Sequence, residues 1–346
     1  MKGWYGPPIA VGGVPGKVFV DKDGEFRGKI NTGKFASAKD IAEGIIKRAV
    51  RAAKKQARED LFRSNMGFSS LSDMISEITS NGKKHVFSYS KTGTTGVAGV
   101  TNSLWAVGSS PAAGGAGAAT PGGTATNSAS TGAFTDLLNV STDTQHFTGA
   151  YPNASVAANL LLMYDRLFHV TKTASSSTQE SVTGVPTRYQ NTTTTAADYI
   201  GGNFGFVEQF GVLASTAHNW TVCTYLDQGG SASTLPSIAG AAAGLVNRID
   251  HAGWYMPLAS GDTGLGSWTA LQCSSASITG TALFCIGHPL CWQPCPIANF
   301  VVTVDGINTA ISLVRIFDNA CISFLEVNKP ATTATTYTGT FETAWG

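Results

Sequence analysis

Leu160 to Val170 reads LLLMYDRLFHV, and its reading decides the fold class. A short, nearly continuous apolar run set off by turn-forming residues is the pattern of a buried strand. The same pattern recurs at Phe204–Leu213, Trp220–Leu226, Gly253–Leu258, Leu271–Ser277, Thr281–Ile286, Phe300–Val304, Ala320–Val327 and Thr335–Thr343. Between these runs no helical period is long enough to cross over between parallel strands. The expectation is therefore a mainly β chain with an antiparallel β-sandwich or barrel-like body. Thr335–Thr343, TTYTGTFET, alternates Thr with larger residues and is expected at a sheet edge or between subunits.

Working outward, residues 134–346 form this β-rich body. Residues 92–133 form a Gly/Ala/Ser/Thr-rich extended loop (SSPAAGGAGAATPGGTATNSASTG lies within it), expected to be held by packing rather than to swing free. Residues 1–91 form a basic N-terminal arm. In the arm, Lys17–Arg27 (KVFVDKDGEFR) carries a hairpin signal at Asp23-Gly24. Ser37–Arg63 is the clearest helix, with Ser37 as N-cap and Asp40 completing a capping box. Ser69–Thr79 is a shorter helix with a stripe of Leu71, Met74, Ile75 and Ile78, ended by Asn81-Gly82.

Charge divides the chain in the same place. Only 13% of the 346 residues are charged, about half the usual share, while Gly occupies 40 positions. Residues 1–91 carry 17 Lys/Arg against 9 Asp/Glu, and residues 92–346 carry 6 against 13, so a net +8 arm precedes a net −7 body. A soluble monomer normally keeps neighbours away with interspersed charge, so a body this poor in charge points to extensive protein contact. On the long helix Lys47, Arg51, Lys54, Lys55 and Arg58 gather opposite the apolar stripe. They form a partner-binding face for acidic protein surfaces, including another copy, a face for nucleic acid, or a solvated face.

Chemistry-bearing motifs are few. Gly28–Phe35, GKINTGKF, has the Gly, Gly and Lys spacing of a phosphate-binding loop, but Phe35 stands where Ser or Thr must supply a hydroxyl to Mg²⁺. Cys285, His288, Cys291 and Cys295 are the one cluster with metal-ligand chemistry. Their spacing is not a standard zinc spacing, and buried free thiols are the leading reading ahead of zinc or a disulfide. Six cysteines are too few for a disulfide scaffold of this length, which fits synthesis in a reducing cytoplasm. The six histidines and the sparse carboxylates offer no compact acid, base or nucleophile set, so the expectation is a non-enzymatic protein without a cofactor. Met1–Gly16 lacks the apolar core of a signal peptide and no run is long enough to span a membrane. Trp220, Trp254, Trp268 and Trp292 are expected in the core, with a glycan platform as the alternative.

Several runs of the body resemble a group of tailed-bacteriophage virion proteins. They are LLNVSTDTQHF (Leu137–Phe147), LLLMYDRLFHV (Leu160–Val170), VTGVPTRY (Val182–Tyr189), HNWTVCTYLDQGG (His218–Gly230), LASGDTGL (Leu258–Leu265) and VRIFDNACISFLEVNKPATTATTYTGT (Val314–Thr340). The resemblance covers the body and not the arm. It implies a structural component of a phage particle, made in the host cytoplasm and located in the virion. Its partners would be copies of itself and other virion proteins. A capsid shell subunit or a capsid-decoration (cement) subunit is implied first, and a tail component or a receptor-binding, adhesin-like protein second. The familiar phage shell fold places a long helix after an extended loop, whereas the long helix here precedes the Gly/Ala-rich stretch, which favours decoration at least as much as shell.

Overall fold

The computed structural model describes residues 67–135, 137, 143–173, 177–189, 202–213, 217–241, 245–275, 280–307 and 313–346, and before them the backbone of four short strands. The chain divides into two compact units, Met1–Ser64 and Asn65–Gly346. Residues 65–91, read from the sequence as part of the arm, belong to the second unit.

The first unit contains β1 (Ile9–Val11), β2 (Val14–Val20), β3 (Phe26–Lys29) and β4 (Phe35–Ser37), hydrogen-bonded in chain order as an antiparallel meander. Strands β2 and β3 are the arms of the Asp23-Gly24 hairpin, with Phe19 opposite Arg27. GKINTGKF spans the next hairpin connection, since Gly28 in β3 faces Ala36 in β4. That is not the parallel-strand-to-helix setting a phosphate loop needs. The expected helix over Ser37–Arg63, with Lys47, Arg51, Lys54, Lys55 and Arg58, lies outside the described residues apart from Ser37.

The second unit opens with helix α1 (Leu71–Ser80). Its N-cap is Ser70, whose hydroxyl accepts the Asp73 N–H at 3.0 Å, and Asn81 closes it through Glu77. Met74 and the flanking Phe68 pack against Leu313 and Ala344, which fixes the helix on the body. The strands then follow: β5 (Lys84–Thr92), β6 (Asn102–Ser103), β7 (Ser109–Ser110), β8 (Thr124–Ala125), β9 (Gln145–Ala154) and β10 (Asn159–Thr173). Next come β11 (Glu180–Ser181), β12 (Phe204–Gln209), β13 (Asn219–Asp227), β14 (Ala232–Thr234), β15 (Ile238–Ala239) and β16 (Leu265–Cys273). The chain ends with β17 (Thr281–Cys295), β18 (Val304–Asp305), β19 (Arg315–Ile316), β20 (Ile322–Val327) and β21 (Thr336–Trp345).

The protein is mainly β and its named strands all pair antiparallel, in the meander of the first unit and three sheets of the second. The central sheet runs β12-β17-β10-β20-β6, a second runs β11-β16-β13-β14, and a third runs β18-β9-β21-β5-β7. The quoted run Leu160–Val170 is the heart of β10, which with β17 forms a two-strand spine of 15 residues per strand, roughly 50 Å long. One end of that spine contributes Phe168, Val170, Phe284 and Ile286 to a core shared with Trp220, Trp268 and Leu271 of the second sheet. The other end contributes Leu161, Met163 and Cys291 to a core shared with Phe87, Tyr337 and Phe341 of the third. Two bulges, one passing Leu290 and one passing Leu167, break the register between these halves. Among the described residues β17 pairs with β12 only as far as Gly287. Beyond that point it has a free side, and Pro289 and Pro294, which lack an N–H, are tolerated there.

Three strand expectations are corrected. Phe300–Val304 is a strand only at Val304, which opens β18. Thr336–Trp345 is not an edge strand: it lies between β9 and β5, paired along its length on both sides. Gly253–Leu258 is not a strand but a series of bends over the outer face of the central sheet. The Gly/Ala-rich segment runs tight against the body. A Cβ on Gly114 would stand 2.0 Å from the Trp105 indole, and one on Gly117 2.4 Å from the His169 ring, so these positions need glycine for close approach.

Candidate interaction surfaces

The few charges of the body are spent inside it. Arg166, Lys172, Arg188 and Lys329 are buried, and each meets a carboxylate. Arg166 pairs with Glu208 at 2.9 Å, Arg188 with Asp165 at 2.7 Å, Lys172 with Glu180, and Lys329 with Glu326 at 3.7 Å. Arg166 has the most partners. Its guanidinium lies over the Trp105 ring at 4.5 Å and donates to His169 Nδ1, Tyr164 Oη and Cys285 Sγ as well as to Glu208. Arg188 forms a two-pronged contact with Asp165, whose Oδ1 also accepts the Cys321 N–H. These groups tie the central sheet to the Gly/Ala-rich loop and to the 182–189 segment.

Burying those ions leaves few charges at the surface, none of them fully exposed among the described body residues. Among the described residues of 92–346, every Asp, Glu, Lys and Arg is buried or half-buried. Large apolar side chains are exposed instead, among them Val97, Val185, Val212, Trp292, Ile297, Phe300 and Val301. Ile297, Phe300 and Val301 share one segment, the connection that leaves β17. On α1, Leu71 and Ile75, two members of the stripe read from the sequence, face out while Met74 faces in.

One groove lies along a sheet edge. Strand β5 pairs with β21 over its whole length, but on its other side only Ser90 and Lys91 are paired, with β7, among the described residues. Beside the open part lies a groove of about 600 Å³, lined by His85–Ser88 on one side and by Ala129–Thr135 and Ser110–Ala112 on the other. No lining residue is charged. His85 Nδ1 is buried there without a hydrogen-bond partner among the described residues, and half-open Val86 stands on the adjoining face.

The cysteine and histidine cluster does not converge. Cys285 packs with Leu162, Tyr164 and Phe206 on one face of the central sheet, while Cys291 and Cys295 pack with Tyr89 and Phe324 in the core of the opposite face. His288 stacks on Tyr189 with ring centres 3.8 Å apart, and its Nδ1 meets Asn203 Oδ1 at 2.8 Å. Burial pushes its pKa down to about 3. All six cysteines are free and buried, and burial pushes the thiols of Cys223, Cys291 and Cys321 up to about 12. The tryptophans separate: Trp220 and Trp268 are core residues, whereas Trp254 and Trp292 sit at the surface edge of the central sheet. Sequence reasoning missed the β5 edge, because KHVFSYSKT alternates polar with apolar residues and its opening depends on a partner strand that stops after Ser110.

No protein-family model, no curated protein and no solved structure matches this chain. No helix among the described residues is long and apolar enough to cross a membrane.

Proposed function

We propose that the protein is a non-enzymatic structural subunit of a bacteriophage virion, a capsid shell or capsid-decoration subunit that assembles through its uncharged β surfaces. The observation that carries this reading is the withdrawal of charge. The body has only six Lys and Arg, and it places four of them in the interior beside carboxylates. A surface so composed neither repels a second copy nor loses ionic hydration when covered, so association costs little desolvation. The resemblance of the body to virion proteins supports the same reading.

The open edge of β5 gives assembly a directional contact. Unpaired backbone groups of an edge strand are a template for a strand from another chain, and the uncharged groove beside it leaves room for one. The basic arm then has a role in position: the first unit and the body carry opposite net charge, and opposite charge steers encounter between copies or between the protein and other virion components. Sedimentation velocity of the purified full chain over a range of concentrations, alone and with purified particles, tests the proposal. Self-association, or co-sedimentation with particles, that survives high salt is expected because the covered surfaces are apolar. A chain that stays monomeric at every concentration and binds no particle overturns it.

Half-buried Trp254 and exposed Trp292 favour, as a second reading, a receptor-binding component on the particle surface. That reading and the structural one are compatible, since a decoration subunit presents its outer face to the host.

A further inference from the structure

The segment from Asp250 to Met256 is pinned at both ends. Asp250 is buried and accepts hydrogen bonds from the Gln209 amide (2.6 Å), the Trp220 indole (2.8 Å) and the Ala241 N–H (3.1 Å), and it meets His218 Nε2 at 2.8 Å. Met256 is buried too, and its N–H donates to the Gly205 carbonyl at 2.8 Å. Between these anchors His251 is buried, while Ala252, Gly253 and Tyr255 are exposed and Trp254 is half-buried.

Trp254 and Tyr255 stand on that segment. Trp254 rests edge-on against Phe204 at 5.0 Å and meets Trp292 of β17 at 5.2 Å with the ring planes 87° apart, so the two indoles make a right-angled corner. Tyr255 extends it, 4.6 Å from Trp254. Trp292 is 40% exposed and Tyr255 45%, while Trp220 and Trp268 are wholly enclosed. The same segment and rings carry polar donors. Trp105 and Trp220 give their indole N–H groups to the Gly115 carbonyl and to Asp250, but those of Trp254 and Trp292 have no acceptor among the described residues. The backbone N–H groups of Ala252, Gly253, Trp254 and Tyr255 likewise donate to none.

We propose that this corner binds a neutral saccharide. A pyranose has an apolar C–H face that packs on an aromatic ring and a rim of hydroxyls that accept hydrogen bonds, and the corner supplies rings and free N–H donors in one place. An apolar protein segment laid on the rings would leave those donors without acceptors, which a buried contact does not tolerate cheaply. The ligand is neutral because neither the 250–256 segment nor β17 carries a Lys or Arg to pair with a sialic or uronic acid.

The test is binding of the intact protein to an immobilised array of neutral glycans, including maltohexaose, cellohexaose and chitohexaose, beside sialylated ones. Binding to the best neutral glycan is then titrated by tryptophan fluorescence for the wild type, Trp292→Ala and Tyr255→Ala. Wild-type binding to a neutral glycan, weakened about tenfold or more by Trp292→Ala with thermal unfolding unchanged, is the expected result. Tyr255→Ala, which removes a side chain 45% exposed, is expected to weaken it as well and guards against a folding defect in the first variant. No binding to any neutral glycan, a preference for sialylated glycans, or a Trp292→Ala variant that changes only the oligomeric mass overturns the site. The sedimentation readout for assembly is separate, so loss of one claim leaves the other standing.

Discussion

Arg166 Nη1 and Glu208 Oε2 meet at 2.9 Å inside the central sheet, and neither side chain reaches solvent. Such a pair gives little net stability compared with a well-packed apolar pair, but leaving either member alone strands a buried charge. Arg166→Met is expected to lower stability by about 3–5 kcal/mol, and the double variant Arg166→Met with Glu208→Leu by clearly less. Chemical denaturation of the two variants and the wild type measures this. A double variant as unstable as Arg166→Met alone contradicts it.

Stability falls on the acid side. His169, His251 and His288 are buried and titrate below their ordinary value because burial disfavours the charged ring; for His169 the neighbouring Arg166 adds to this. The unfolded chain therefore takes up protons first as pH falls. The stability held by the neutral rings is fully present above the unfolded value of about 6.5 and is lost as pH drops from there towards about 3, the His288 value. Melting temperature followed from about pH 7.5 to pH 4 is expected to decline below about pH 6.5. A melting temperature that rises on acidification excludes this account.

The thiols are predicted to be silent in the folded chain. All six are buried, and burial holds Cys295 at about 11 and Cys223, Cys291 and Cys321 at about 12, so at neutral pH hardly any thiolate is present. A colorimetric thiol reagent is expected to label none of them in the native protein and all of them in denaturant. Rapid native labelling of Cys291 or Cys295 would show that their end of β17 opens.

The Gly/Ala-rich segment is predicted to behave as core at its close contacts. Gly114→Ala forces a methyl group into the Trp105 ring and is expected to cost about 1–3 kcal/mol or more, whereas Gly115→Ala meets nothing within 4 Å and is expected to change little. Thermal unfolding of the pair checks this; equal effects would mean that the loop gives way freely.

The β runs were legible because buried strands need apolar residues: β10, β12, β13, β17 and β20 follow from LLLMYDRLFHV and its counterparts. Strands β5 and β9 were not, since KHVFSYSKT is half polar and QHFTGAYPNA carries Gly and Pro, and both are held by pairing with β21 rather than by their own composition. The central position of β21 was hidden for the same reason, as alternation with Thr suits a strand with one open face whether it lies at an edge or inside. In the candidate surfaces, the low charge was plain in the composition, but which charges were buried was not. Arg166, Glu208, Asp165 and Arg188 come from β10, β12 and the segment beyond β11, and only the sheet order brings them together. Trp254 and Trp292 could be told from Trp220 and Trp268 only once the bends over residues 251–255 were seen to lie outside the sheet.

The proposal that the protein is a particle component is tested most directly by its copy number in purified particles, counted by quantitative mass spectrometry against a known virion protein. The account predicts many copies, in a fixed and symmetric ratio to the shell. Particles that carry none of this chain, at any stage of their assembly, would contradict it.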